Sequence, residues 1–218
     1  NLTGLWCLHS KFVYLKNMDL KKILNFKNNK FRLFLVLVIG VSFLIYKLID
    51  TNPISAQTKL LEKLEGDISS IEKFNNFILD GYEKDINLPI EMMEKIIDSA
   101  KTYLNTPNLV GGIDKNGIDS SGLIYNSIIS NSDFKFPRVA QEMARFGNII
   151  TEKEDLKRGD LLFFYNTYET ERIVTTVGIY LGKNDFLISS TKKGVSINRL
   201  DDPYYWSKHF FFGTRIFI

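Results

Sequence analysis

The hydrophobic period changes along this chain, and the order of the two patterns limits the folds it can form. From Pro89 to Leu104 the apolar residues recur every three or four positions, which is the spacing of one α-helical face. From Asp160 onward, short runs rich in β-branched and aromatic residues follow one another, as is typical of strands. These runs are Leu161–Tyr165, Val174–Leu181, Phe186–Ser190, Val195–Ile197 and Phe210–Phe217. Helices followed by strands predict an α+β fold with an antiparallel sheet.

Composition supports a packed domain and excludes several kinds of site. Hydrophobic residues make up 44% of the 218 positions and aromatic residues 13%, so a substantial core is feasible. The chain has one cysteine, Cys7, and two histidines, His9 and His209. No internal disulfide and no Cys/His metal cluster can be built from these residues, and no cofactor is predicted.

The net charge of +3 is distributed unevenly along the chain. Residues 1–32 contain seven basic side chains and one acidic one, so the remaining residues are acidic on balance. The basic character therefore belongs to the N-terminal segment, and no nucleic-acid partner is predicted.

Residues 33–49 are predicted to form a transmembrane signal anchor. Leu33 to Tyr46 is free of charge, and the apolar run reaches 17 residues if Lys47 extends to the interface. A spanning helix needs about 17–25 residues. Because basic residues precede the run, the positive-inside rule predicts residues 1–32 as a cytoplasmic segment in a single-pass protein of the cytoplasmic membrane, with the C-terminal domain outside.

Two alternatives to the anchor stay open, a signal peptide cleaved near Ser55-Ala56 and a buried core helix. The sequence also leaves open whether residues 1–17 belong to the natural chain, since Met18-Asp-Leu-Lys-Lys22 resembles the start of an export signal. Residues 50–85 follow, with apolar side chains at helical spacing. They are predicted to form a helical stalk or linker, as a spacer or a small packing helix, ahead of a globular domain at 86–218.

Five motifs occur in order in the globular part. They are Tyr103-Leu-Asn-Thr-Pro-Asn-Leu-Val-Gly-Gly112 with Asp119-Ser-Ser-Gly-Leu123; Pro137-Arg138 with Gln141 and Gly147; Leu156-Lys-Arg-Gly-Asp-Leu-Leu-Phe-Phe164; Thr176-Val-Gly-Ile-Tyr-Leu-Gly182; and Phe186-Leu-Ile-Ser-Ser190 with Gly194-Val195. Together they resemble the NlpC/P60 family of papain-like cell-wall cysteine peptidases, over about residues 90–218. The resemblance implies a papain-like domain in which N-terminal helices pack on an antiparallel sheet.

The resemblance also implies where the family's reacting groups would lie. The family's cysteine position is occupied by Ser120, its base histidine by Thr176 and its second histidine by Ile188. Asn108 occupies the position of the tyrosine that polarises the substrate carbonyl. A hydroxyl depends on a base more than a thiol does, and threonine cannot accept a proton near neutral pH. These replacements predict a protein that is inactive by the Cys–His mechanism.

Three neighbouring family positions keep their polar residues. Asp119, Ser121 and Arg138 are candidates for binding a peptidoglycan stem peptide, because such residues help to recognise it in some family members. Helix capping and turn hydrogen bonds explain the same three residues, and this structural interpretation is favoured.

Three functions follow from the resemblance. The first is a pseudo-peptidase that binds peptidoglycan stem peptides or a protein partner outside the membrane. The second is an active peptidoglycan endopeptidase or amidase using Ser120 with an unrecognised base, for which His209 is the candidate. The third is a structural subunit of a membrane complex, with aromatic residues at 165–168 and 210–212 as an interaction surface.

Overall fold

The computed structural model describes residues 37–38, 40–41 and 53–218, and residues 53–218 form one compact unit. The predictions for residues 1–32 and for most of the run 33–49 therefore lie outside the described residues. Within the described parts of the chain, every helix is too short or too polar to cross a membrane.

Six α-helices and eight strands make up the compact unit. The helices are α1 (Pro53–Lys63), α2 (Ile68–Leu79), α3 (Ile90–Lys101), α4 (Ser120–Ile129), α5 (Ala140–Met143) and α6 (Trp206–His209), with a 3₁₀ turn at Lys153–Asp155. The strands are β1 (Ile113–Asp114), β2 (Gly117–Ile118), β3 (Asn148–Ile150), β4 (Leu161–Phe164), β5 (Thr176–Gly182), β6 (Asp185–Ser190), β7 (Gly194–Arg199) and β8 (Phe210–Arg215).

Strands β3 to β8 form one antiparallel sheet in the order β3-β8-β4-β5-β6-β7, and β1 pairs with β2 in a separate small hairpin. The α+β class and the antiparallel sheet are as the hydrophobic period predicts. Both faces of the sheet are buried. Neighbouring residues of a strand point to opposite faces, so they join different clusters. Leu161 and Phe163 of β4 belong to the main core under the helices, whereas Leu162 and Phe164 belong to a second cluster on the other face.

Helices α1 and α2 pack on the sheet rather than standing apart as a stalk. Leu60 of α1, Phe74 and Phe77 of α2, and Leu64 directly after α1 are fully buried in the main core. The ring of Phe74 lies 5.4 Å from that of Phe211, and the ring of Phe77 lies 6.3 Å from that of Phe212. Of the two roles open for this segment, spacer and packing helix, the structure shows packing. The apolar face was visible in the sequence, but its cover is supplied by strand β8, far along the chain.

The break between α1 and α2 follows from local chemistry. Gly66 adopts a φ of +89°, which side-chain-bearing residues rarely adopt. Asp67 then caps α2, since its carboxylate accepts a hydrogen bond from the Ser70 N–H at 3.0 Å. The helical face predicted for residues 50–85 is thus divided into two short helices.

A buried arginine fastens the end of α2 to the domain. Arg145 has about 1% of its surface exposed, and its Nη1 donates to the carbonyl oxygens of Phe77 and Gly81 at 2.7 and 2.6 Å. Its other nitrogens pair with Asp80 and Glu142. These bonds satisfy carbonyl groups that a helix C-terminus leaves without intrahelical partners.

Candidate active site

The N-terminus of α4 is the centre of the candidate site. Asp119 is the N-cap residue, and its Oδ1 accepts a hydrogen bond from the Gly122 N–H at 2.6 Å. Ser120, at the family's nucleophile position, is therefore the first residue of the helix. The positive end of the helix dipole lies here, which is where a papain-like enzyme lowers the pKa of its thiol.

Asp119, Ser121 and Arg138 form one closed hydrogen-bond network. Arg138 Nη1 donates to Asp119 Oδ1 at 2.9 Å and to Ser121 Oγ at 2.8 Å. Its Nη2 donates to Asp119 Oδ2 at 3.1 Å and to the Gly112 carbonyl at 3.0 Å. Ser121 Oγ also donates to Asp119 Oδ1. These contacts support the structural interpretation of the three residues, since their polar groups are occupied by one another.

The same network sets the ionisation of Asp119. Burial would raise the pKa of this carboxyl, but the Arg138 guanidinium and the N–H groups of Gly122 and Gly111 outweigh it. The pKa of Asp119 is therefore held below its ordinary value. The carboxylate stays charged at neutral pH and holds the 111–112 turn against the helix.

The Ser120 hydroxyl forms no hydrogen bond with a general base among residues 53–218. Ser120 is half-buried, and among the described residues no hydrogen bond joins its Oγ to an imidazole or a carboxylate. A serine nucleophile needs a group within hydrogen-bond reach that takes its proton.

Thr176 begins β5, at the base position, and its hydroxyl is paired with another hydroxyl. Its Oγ1 lies 2.8 Å from Thr167 Oγ1, which in turn donates to Thr175 Oγ1 at 2.7 Å. Thr167 belongs to the loop that follows β4, and no family motif pointed to it. The base position is thus part of a neutral threonine cluster that has no proton acceptor effective near pH 7.

Ile188, at the second histidine position, is fully buried. It lies in the apolar cluster with Phe164, Phe186 and Trp206. Its neighbour Ser189 points the other way, because residues alternate along β6. An imidazole at position 188 would replace a side chain that contacts only an apolar cluster.

Ser189 supplies a contact at the site that sequence reasoning missed. Its Oγ donates to the Ile118 carbonyl at 2.7 Å and accepts a hydrogen bond from Asn108 Nδ2 at 2.9 Å. Asn108, at the family's tyrosine position, is therefore tied to β6 and to the residue before the cap. The serine pair at 189–190 was visible in the sequence, but its orientation depends on the strand register.

His209 and Asp160 are engaged elsewhere. His209 Nδ1 lies 2.9 Å from the Tyr165 carbonyl oxygen, and its ring centroid lies 4.4 Å from that of Tyr205. Asp160 is buried and accepts hydrogen bonds from the Lys157 N–H and from the guanidinium of Arg215. Within residues 53–218, neither side chain forms a hydrogen bond with Ser120.

Comparison with known proteins shows the family. Residues 105–215, half of the chain, match the NlpC/P60 family. The chain belongs to the NlpC/P60 family. The chain is 32% identical over 140 residues to a probable endopeptidase of Haemophilus influenzae, covering 62% of this chain and 81% of the relative.

Two further relatives extend the comparison. A murein DD-endopeptidase and murein LD-carboxypeptidase of Escherichia coli, MepS, is 26% identical over 167 residues, covering 77% of this chain and 78% of the enzyme. The crystal structure of a lipoprotein-like NLP/P60-family protein of Staphylococcus aureus is 30% identical with a TM-score of 0.51. It covers 61% of this chain, and the match spans 43% of the S. aureus chain. The papain-like NlpC/P60 fold expected for the C-terminal domain is thus confirmed.

Proposed function

We propose that this NlpC/P60 domain binds peptidoglycan stem peptides without hydrolysing them. The observation that carries the proposal is the base position, where Thr176 shares a hydrogen bond with Thr167. Ser120 lies at the helix N-terminus, but within residues 53–218 its hydroxyl forms no hydrogen bond with an imidazole or a carboxylate. Such a site can bind a peptide, but the Ser120 hydroxyl has no paired base among the described residues to activate it for covalent attack.

The ligand class follows from the relatives and from the groove. The E. coli relative is named as a murein peptidase, and the Asp119–Arg138 pair holds the 111–112 turn beside the N-terminus of α4. The positive end of the α4 dipole favours a negatively charged group, such as a carboxylate of a stem peptide. We propose that the carboxylate meets the free N–H groups of the first turn and not Arg138, which is already paired.

A blocking substitution tests this proposal. Ser120→Trp fills the helix N-terminus, whereas Ser130→Trp adds the same side chain at the exposed C-cap of α4. We expect Ser120→Trp to weaken binding of purified stem peptides to the full chain at least tenfold, measured by calorimetry. Ser130→Trp is the matched control and should bind as the unmodified chain does.

Comparing the stem-peptide affinities of the two variants can also contradict the proposal. Equal binding by both variants, each with an unchanged thermal midpoint, contradicts a groove at Ser120. Absence of stem-peptide binding together with specific cross-linking to a protein through position 120 would favour the protein-partner alternative.

We also propose that residues 33–49 anchor this domain to the cytoplasmic membrane, with residues 53–218 outside. The uncharged run and the basic residues before it support this orientation. Protease added to intact spheroplasts should digest the C-terminal domain, and the chain should stay with membranes after an alkaline wash. Release of a shortened chain into the soluble fraction would favour a cleaved signal peptide.

A further inference from the structure

An exposed aromatic surface adjoins the base position. Tyr205 is 39% exposed, yet its ring is fixed against Trp206 at 4.9 Å in an edge-to-face contact and against His209 at 4.4 Å. Its hydroxyl lies 3.4 Å from the Thr167 carbonyl oxygen. A ring held on several sides and still open to solvent is a preorganised contact surface, since little freedom remains to be lost on binding.

Two more exposed tyrosines are direct neighbours in sequence of Tyr205 and of Thr167. Tyr204 is 86% exposed and directly precedes Tyr205, and Tyr168 is 54% exposed and directly follows Thr167. The bond between Tyr205 and Thr167 holds the two segments together. We call Tyr168, Tyr204 and Tyr205 the tyrosine platform. By contrast, Phe210, Phe211 and Phe212, which the sequence offered as part of an interaction surface, are buried in the core.

His209 adds a polar group beside the platform. A carbonyl oxygen can only accept a hydrogen bond, so the contact with Tyr165 requires the hydrogen on Nδ1. The neutral ring then carries its free lone pair on Nε2. No hydrogen bond to Nε2 is recorded within residues 53–218, and the half-buried ring lies against Tyr205.

Thr167 contacts both Tyr205 of the platform and Thr176 at the proposed peptide site. The Thr167 carbonyl faces the Tyr205 hydroxyl, while the Thr167 hydroxyl pairs with Thr176. A polymer whose peptide is bound beside Thr176 would pass Thr167 and reach the platform.

The chemistry of the platform favours a sugar. Phenol rings offer an apolar face to the C–H groups of a sugar ring and a polar edge to its hydroxyls. An imidazole nitrogen with a free lone pair accepts a hydrogen bond from a sugar hydroxyl. We propose that the tyrosine platform and His209 bind the glycan strand of peptidoglycan. This inference rests on the proposed function for its setting, since the stem peptide is attached to that strand.

The test separates the sugar from the peptide. The full chain in detergent micelles is titrated with peptide-free glycan strands and, separately, with free stem peptides. We expect the double variant Tyr168→Ala/Tyr204→Ala to raise the Kd for glycan strands by about five- to tenfold, from the loss of two aromatic contacts. Stem-peptide binding should not change. Both side chains are largely exposed, so folding should be preserved.

Val110→Ala is the matched control, because Val110 is 90% exposed and lies in the turn on the helix side of the groove. It should leave glycan binding unchanged. His209→Asn keeps a side-chain donor for the Tyr165 carbonyl and removes Nε2, and we expect it to raise the glycan Kd about two- to threefold.

Each outcome of these titrations either supports or overturns the inference. Unchanged glycan binding in the tyrosine double variant, or no glycan binding by the unmodified chain, overturns the inference. Loss of binding to anionic lipid vesicles in the double variant, without loss of glycan binding, overturns it in favour of a membrane contact. Glycan binding that depends on the tyrosines, together with no binding of stem peptides, supports the inference and contradicts the proposed function.

Discussion

The helix and the sheet of the candidate site differ in how their polar groups are used. On the helix side, Asp119, Ser121 and Arg138 satisfy one another in a closed network. On the sheet side, Thr176 is paired with a hydroxyl and Ile188 is buried among apolar rings. The helix-side residues hold one another in place, whereas the two sheet-side positions carry a threonine and an isoleucine.

The contacts that hold the backbone of the site in place are therefore distinct from the positions that the family resemblance assigns to the catalytic imidazoles. The network on the helix side holds the 111–112 turn and the first turn of α4 in place, and none of its hydrogen bonds requires a reacting group. The sheet side is packed by an aliphatic side chain where the family has an imidazole. We therefore expect substitutions on the two sides to differ in their effect on stability.

The largest expected effect is on the sheet side. Ile188→His places an imidazole in a fully apolar cluster, and we expect it to lower the free energy of unfolding by about 2–4 kcal/mol. Thr176→His, at a half-buried position beside Thr167, should cost less than about 1 kcal/mol. Urea denaturation of both variants measures the difference, and equal costs would contradict the burial of position 188.

The second-largest loss of stability is expected for a substitution on the helix side. Asp119→Ala removes the N-cap of α4 and leaves Arg138 without its carboxylate, so we expect a loss of about 2–3 kcal/mol. Ser121→Ala removes only a neutral hydroxyl from the network and should cost about 1 kcal/mol. Thermal unfolding of the two variants ranks them, and a larger loss for Ser121→Ala would break the assignment of Asp119 as the centre.

A pH dependence should belong to the helix side alone. Because the pKa of Asp119 is lower in the folded chain, its contribution to stability is complete above the unfolded value of about 4. That contribution is lost as pH falls through the lower folded value. The unfolding free energy should therefore decline more steeply in this acid range in the unmodified chain than in Asp119→Asn, as measured by urea titration. Parallel pH profiles would contradict the depressed pKa.

The smallest effect is expected at the nucleophile position itself. Ser120→Ala removes a hydroxyl that has no recorded partner in residues 53–218, so stability should change by less than about 0.5 kcal/mol. Differential scanning calorimetry provides the comparison. A loss above about 1 kcal/mol would reveal a hydrogen bond of Ser120 that the closed network does not include.

Five strands of the large sheet could be predicted from sequence because each contains a run rich in β-branched or aromatic residues. Strands β4 to β8 all fall within or beside the predicted runs, although β5 begins at Thr176 and not at Val174. Strand β3, Asn148–Ile150, was missed because three residues are too short to show alternation, and its pairing with β8 joins distant parts of the chain.

The contacts of the site were less accessible to sequence reasoning. The cap on α4 could be read from Asp119, but its pairing with Arg138 spans 19 residues and depends on the turn between them. The pairing of Thr167 with Thr176 depends on the loop after β4. The cover of α1 and α2 comes from Phe211 and Phe212, which no local pattern connects to residues 53–79.

Turnover of muropeptides by the full chain most directly tests the proposal that this domain binds stem peptides without hydrolysing them. The unmodified chain and Ser120→Ala are incubated with cross-linked muropeptides and with sacculi, and the soluble products are separated by chromatography and identified by mass. We expect no released fragments from either protein, since Thr176 and Ile188 supply no base. Release of a defined fragment by the unmodified chain and not by Ser120→Ala would contradict this expectation.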